Sequence, residues 1–307
     1  MFSKVVEDKS VVWFSDVWQK PVTSTLPSFG FVEIPFDFAV SHRPGTRFGP
    51  KEIIKNLNEC TLYCTDKRIS LENMVITHFG SVDVVQSIEQ SHENIAKAVS
   101  SLPNPYIPIC LGGDHSITAP IFSSIKKKHQ NEEIGLLVFD SHFDSRDIIP
   151  GRYHSGNWVK TLEKTLNYNY FIQFGIGANI YSKQYMDFSE KNGITIITVY
   201  DMRKKGLSNV INDIFKQLKI KKLYLSVDID AIDQAFAPGT SVPNSNGLFP
   251  HEVIDTIFEI ARHYDIIGFD ITEVSPPLDR NNMTTNVAVQ IIINLMAGMI
   301  AKRNLPV

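Results

Sequence analysis

From about residue 73 onward, short β-branched or aliphatic runs alternate with stretches whose apolar residues recur at three-four spacing. The runs predict strands at 74–79, 106–111, 135–139, 171–175, 194–199, 223–227 and 266–269. The amphipathic stretches predict helices at 87–102, 117–128, 208–218 and 250–263, with Pro250 suited to a helix start. Strands alternating with helices predict a parallel sheet joined by crossover connections. The run Ile134-Gly-Leu-Leu-Val-Phe139 is apolar throughout, as suits a strand covered by helices on both faces. The most apolar stretch, 287–301, is interrupted by Gln290 and Asn294 and falls short of the ~20 apolar residues of a membrane span, so it predicts a buried C-terminal helix. The first 50 residues are less regular, with prolines at 21, 27, 35, 44 and 50. They predict an irregular segment over 1–40 that wraps the surface before a first helix near Pro50. Neither an internal repeat nor a Pro/Gly/Ser-rich linker divides the chain, so 1–307 reads as one domain.

Composition changes this picture little. The 307 residues are 43% hydrophobic and 21% charged, with 30 basic against 33 acidic side chains and a net charge of -3. Neither nucleic acid nor a membrane is indicated as a partner. The opening Met-Phe-Ser-Lys-Val-Val-Glu-Asp-Lys lacks the apolar core of a secretory signal, and the cysteines at 60, 64 and 110 are odd in number. The expectation is a reduced, cytoplasmic protein without disulfides. Cys60 and Cys64, at helical spacing, read as a small buried pair rather than half of a zinc site.

Candidate chemistry lies in three segments: Gly112-Gly-Asp-His-Ser116, Asp140-Ser-His-Phe-Asp144 and Ser226-Val-Asp-Ile-Asp230. Each follows a predicted strand at its carboxyl end, where parallel sheets place their binding crevice. In extended backbone, side chains at i, i+2 and i+4 share a side, so Asp140, His142 and Asp144 converge, as do Asp228 and Asp230. With His115 they form a set of imidazoles and carboxylates that would repel strongly without a cation. The donor set suits borderline-hard divalent ions, Mn2+ foremost, with Zn2+, Co2+ or Fe2+ compatible. For any one segment alone, an Asp that caps a helix and a His packed by a turn is an equal reading.

These segments, with Arg43-Pro-Gly-Thr-Arg-Phe-Gly-Pro50, Asp233-Gln-Ala-Phe-Ala-Pro-Gly-Thr240 and Asp270-Ile-Thr-Glu-Val-Ser-Pro-Pro277, resemble the ureohydrolases, a family that includes arginase, agmatinase and formimidoylglutamase. The resemblance runs from about Gly45 to Met299. It implies an α/β arginase-like fold, three-layer α-β-α with a mainly parallel sheet of about eight strands. It further implies two Mn2+, one held by His115, Asp140, Asp144 and Asp228, the other by Asp140, His142, Asp228 and Asp230. A metal-bridging hydroxide would attack a trigonal amidino or formimino carbon, with Asp144 passing a proton to the leaving amine. Glu273 would pair with the substrate's guanidinium, and Asp233 would either orient a metal ligand or simply form a turn. Homo-trimers or hexamers are a further implication.

Some positions depart from the family. Ser141 stands where Ala is usual and Gln234 where Pro is usual. In the loop 147–157, where arginases and agmatinases have a His-Gly pair and formimidoylglutamases a Ser-Gly pair, this chain reads His154-Ser155-Gly156-Asn157. His154 is then either a proton shuttle displaced by one residue or a solvated loop histidine, while Ser155 and Asn157 are candidate substrate contacts. Glu273-Val-Ser-Pro-Pro277 and Ala237-Pro-Gly-Thr240 look agmatinase-like, whereas His142-Phe-Asp-Ser-Arg146 and Ser155-Gly156 look like formimidoylglutamase. Arg146 would favour a substrate with a carboxylate, unless it points away from the cleft. The balance leans narrowly to agmatinase, splitting agmatine into putrescine and urea, with formimidoylglutamate hydrolysed to glutamate and formamide as the alternative. A metal-dependent deacetylase is disfavoured, because the chain has no His-His pair and no Tyr near its end. A catalytically silent binding or assembly protein would be favoured by a lost ligand, and none is missing.

Overall fold

The structure, a computed structural model, describes residues 11–18, 27–72, 74–165 and 169–303. Its centre is an eight-stranded sheet. The strands are β1 (Ser28–Glu33), β2 (Val75–Ser81), β3 (Tyr106–Leu111), β4 (Ile134–Phe139), β5 (Tyr170–Ile176), β6 (Ile194–Thr198), β7 (Lys222–Asp228) and β8 (Asp265–Thr272). They lie in the order β2-β1-β3-β8-β7-β4-β5-β6, and every pairing is parallel. A short antiparallel hairpin, Tyr63–Cys64 with Ile69–Ser70, stands apart.

The helices are α1 (Gly49–Leu57), α2 (Ile88–Ser101), α3 (Thr118–Lys128), α4 (Trp158–Thr165), α5 (Lys183–Lys191), α6 (Val199–Lys205), α7 (Leu207–Gln217), α8 (Pro250–His263) and α9 (Met283–Arg303). Two cores flank the sheet. Leu137 and Phe139 of β4 join one core with residues of α1, α6, α7, α8 and α9. Leu136 and Val138 join the other with residues of α2, α3 and α4. Successive strand residues face opposite sides, so a strand covered on both faces must be apolar at every position. That is the pattern of the β4 run.

All seven expected strands are present, with ends shifted by a few residues, and the expected helices are present as α1, α2, α3, α7, α8 and α9. Val199, expected at the end of a strand, instead starts α6. Thr198 Oγ1 accepts from the Asp201 N–H at 3.1 Å, and Asp201 Oδ2 accepts from the Thr198 N–H at 3.1 Å. This reciprocal cap satisfies the free N–H groups of the first turn. α9 is long and apolar enough to cross a bilayer by length and composition, but 78% of that window is buried inside the protein. A helix apolar on all sides belongs in a core, and α9 packs mainly against α8 and α1. Cys60 and Cys64 follow α1 rather than sharing a helix, and all three cysteines are free.

The expectation for residues 1–40 needs correction over the part the structure describes. Residues 28–33 form β1, an interior strand hydrogen-bonded to β2 on one side and β3 on the other. Phe29 and Phe31 are completely buried. Serine, glycine and flanking prolines hide this strand from a search for apolar runs. Pairing on both edges supplies what propensity lacks, because each backbone polar group finds a ladder partner.

The sheet order decides where chemistry can occur. β3, β8, β7 and β4 are consecutive neighbours, so the loops at their carboxyl ends meet along one edge. These loops carry the three candidate segments and Glu273. Because β1 is interior, Phe31→Ala is expected to destabilise the fold by about 3–5 kcal/mol in chemical denaturation. A loss below about 1 kcal/mol would fit the surface segment that the sequence suggests.

Candidate metal centre

The loop after β3 is packed so closely that a Cβ at Gly113 would lie 1.6 Å from the Phe36 carbonyl oxygen. Asp114 then caps a single 3-10 turn, Oδ1 accepting from the Ser116 N–H at 3.1 Å while Oδ2 accepts from the Ala39 N–H at 3.0 Å. Burial pushes the Asp114 pKa up to about 7. The turn presents His115, whose Nδ1 lies 3.1 Å from Asp140 Oδ2, 3.2 Å from Asp144 Oδ2 and 3.2 Å from Asp228 Oδ2. Its other nitrogen, Nε2, is 3.1 Å from Ser226 Oγ, and Ser226 donates to Asp270 Oδ1 at 2.6 Å. Tyr224 and Thr118 also donate to Asp270, so the back of the imidazole is fixed by a buried polar network.

The second cluster is built the same way. His142 Nδ1 lies 3.0 Å from Asp230 Oδ2 and 3.5 Å from Asp140 Oδ1. Asp140 Oδ1 accepts from the His142 N–H at 2.6 Å, and Asp228 Oδ1 accepts from the Asp230 N–H at 2.8 Å. Each first aspartate thus spends one oxygen on its own loop and keeps the other for the centre. Ser141 donates from Oγ to Asp230 Oδ1 at 2.8 Å, so this departure from the family gives a candidate ligand an extra anchor. Gln234 donates its backbone N–H to the Asn244 carbonyl at 2.8 Å, a bond that proline could not make.

Among the described residues, two groups could each hold an ion: His115, Asp140 and Asp144, and Asp140, His142 and Asp230. Asp140 is common to both, and Asp228 adjoins the first through His115. Despite their closeness, His115 Nδ1 and Asp140 Oδ2 are buried without a hydrogen-bond partner. Donors turned on one point, rather than on each other, fit a shared cation.

Electrostatics support the same conclusion. Burial, with the neighbouring Asp144 and Asp230, pushes Asp140 up to about 6, and burial with Asp230 raises Asp228 well above the usual carboxylate range. Burial would raise Asp230, but His142 and the hydrogen bonds from Ser141 together lower it. Burial would lower both imidazoles, but the surrounding aspartates raise His115 and His142 well above the ordinary histidine value. The chain alone must hold protons here to balance charge, and divalent ions would displace them.

A cleft of about 360 Å³ opens beside this centre, lined by His142, Asp144, Asp228 and Asp230 together with Arg146, Ser155 and Glu273. The structure thus brings together all six candidate ligands and three of the candidate substrate contacts. Asn157 is placed elsewhere and is corrected here, and of the two readings of Asp233 the structure shows the turn. Asn157 is fully buried, and its amide accepts from the His154 N–H at 3.1 Å and donates to the Arg152 carbonyl at 3.0 Å, so it builds the loop. Asp233 accepts from the Ala235 and Gly247 N–H groups at 2.9 and 3.2 Å, which is the turn-forming alternative. His154 does not line the cleft. Its Nδ1 lies 3.4 Å from Ser41 Oγ, and burial and Arg146 lower its pKa.

Sequence reading missed Ser41, Tyr181 and Ser241, which also line the cleft. Tyr181 follows the carboxyl end of β5, so its position relative to a strand end was the available signal. Asp144 and Glu273 have left-handed backbone, φ +46 and +62. Non-glycine residues held in this conformation cluster at functional sites.

A sequence model of the arginase family matches residues 27–298. The guanidinobutyrase of Pseudomonas aeruginosa is 31% identical over 91% of this chain and 88% of its own length. The mitochondrial agmatinase of Gallus gallus is 28% identical over 87% of this chain and 79% of its own. Among solved structures, the formimidoylglutamase from Bacillus subtilis superposes with a TM-score of 0.87 at 25% identity, covering 96% of this chain and 94% of that one.

Protons and metal ions compete for the same carboxylates, so retention of metal is expected to fall as the pH drops through about 6, where Asp140 takes up its proton. Elemental analysis after dialysis at about pH 5 and about pH 7.5 checks this. Equal metal content at both would contradict the ligand set.

Proposed function

Because the chain belongs to the arginase family, we propose that it hydrolyses a linear guanidino or formimino compound whose far end carries a carboxylate. The observation that carries the first half is Glu273. Its Oε1 accepts from the His115 N–H at 3.0 Å, while Oε2 is buried without a hydrogen-bond partner. Its own N–H is tied to the Gly113 carbonyl at 2.8 Å. Burial, Asp228 and Asp114 raise the Glu273 pKa well above its usual range. A planar amidino cation beside it would restore the ionised form and offer paired N–H donors.

The second half rests on Arg146. It lines the same cleft, with its guanidinium 5.7 Å from the centre of the Tyr181 ring, and no carboxylate pairs with it among the described residues. A fixed cation there favours an acid-terminated substrate and opposes a second amine such as that of agmatine. This moves the balance away from agmatine and toward guanidino acids or formimidoylglutamate.

The donor set fits Mn2+, and a bound pair of such ions would supply Lewis acidity and a hydroxide near neutral pH. The residues of the chain do the rest. Glu273 orients the amidino group, and Arg146 holds the opposite end so that the reactive carbon stays beside the metal ligands. Asp144, which lines the cleft, carries the proton to the departing nitrogen. Water adds across the C–N bond, releasing an amine with urea from a guanidino substrate, or with formamide from a formimino one. His154 is given no part in this sequence, since it does not line the cleft.

The test is a panel of 4-guanidinobutanoate, formimidoylglutamate, agmatine and arginine with manganese-loaded protein, scoring urea and formamide. An acid-terminated substrate is expected to exceed agmatine in kcat/KM by at least about tenfold. Arg146→Met is expected to lower kcat/KM for that acid by about 10–100-fold, chiefly through KM, the effect of about 1.5–3 kcal/mol from a charged hydrogen bond. A preference for agmatine that survives this substitution would overturn the assignment of the far end.

A further inference from the structure

We propose that Trp158 is a positioning residue for the metal pair, its indole N–H fixing the metal-facing oxygen of Asp144. Nε1 donates to Asp144 Oδ2 at 2.9 Å, and this is the oxygen that lies 3.2 Å from His115 Nδ1. The same indole ring is 4.9 Å from the His115 imidazole, centre to centre. One fully buried side chain therefore touches two members of the first cluster, one through a tilted ring contact and one through its N–H.

The need for such a strut follows from the backbone. Asp144 sits at φ +46, a conformation that costs a non-glycine residue free energy and persists only when its surroundings enforce it. An unanchored carboxylate there could rotate out of the cluster. An indole N–H is well suited to hold it, because it donates only, does not titrate and cannot itself compete for the ion. A buried tryptophan also requires a partner for that N–H, so the bond serves both residues.

The strut belongs to a closed ring of contacts. The Val159 N–H donates to the Asp144 carbonyl at 3.1 Å, and the Arg146 N–H donates to the Gly156 carbonyl at 2.9 Å. Residues 144–146 are thereby clamped to 156–159, at both ends of the loop that carries Ser155 to the cleft. Through Trp158, the metal cluster and the substrate loop share one mechanical support. The inference rests on the metal-dependent reading above and not on the choice of substrate.

Calorimetric titration of the metal-free full-length protein with Mn2+ tests it. Trp158→Phe keeps a buried ring and removes the N–H; one of two ions is expected to bind about tenfold or more weakly, with the other unchanged. Phe171→Leu, which loosens packing next to the same indole and leaves its N–H, is expected to keep both affinities within about threefold of wild type. Equal affinities in Trp158→Phe and wild type would overturn the proposal, as would an equal weakening by Phe171→Leu. If Trp158→Phe does not fold, benzothienylalanine at position 158 retains the bicyclic shape without the N–H, and must show the same selective weakening. A wild-type protein that binds no Mn2+ would sink the metal-dependent reading itself, and this inference with it.

Discussion

Four aspartates and two histidines share one buried edge of the sheet, and like charges at such separations cannot all remain ionised in a poorly solvated interior. The surrounding architecture answers that constraint. Parallel pairing brings four strand ends to one edge, which no single loop could do. Each ligand-bearing loop then uses one carboxylate oxygen to satisfy its own backbone, and this fixes the direction of the other oxygen. The cluster is held by protein bonds on its outer side and left unsatisfied on its inner side.

Support for the cluster extends into the core. Asp270, in the middle of the apolar sheet, is acceptable there because Ser226, Thr118 and Tyr224 all donate to it. The chain Asp270, Ser226, His115 sets which imidazole nitrogen faces the centre. Asp114, itself fully buried, binds the segment around Ala39 to the loop of His115 and so helps bring Ser41 to the cleft. The candidate site residues and their supports therefore come from separated parts of the chain, with the sheet as their common reference.

The sequence was most informative where one pattern determined one outcome. Strands covered on both faces have to be apolar at every position, so β3 and β4 were legible almost to the residue. Five of the six candidate ligands stood out by their two-residue spacing after a strand, and His115 by its place after another; the structure brings all six together. β1 was not legible, since its stability comes from two neighbours rather than its own composition. Asn157 misled, and Asp233 stayed open, for a related reason: a polar residue in a loop can face either a ligand or its own backbone, and only the fold decides which. Trp158 gave no signal at all, because a core tryptophan and one that braces a ligand have the same local pattern.

The left-handed backbone at Asp144 and Glu273 sets a conflict between durability and chemistry. Such a conformation costs a side-chain-bearing residue roughly 1–3 kcal/mol, and glycine would adopt it freely. A lineage released from selection for turnover would gain stability by losing these two carboxylates first, while keeping its sheet, its cores and most of its ligands. Erosion of this fold into a descendant without turnover would therefore begin at these two positions, the proposed proton carrier and the proposed amidino partner, before it reached the sheet or its cores.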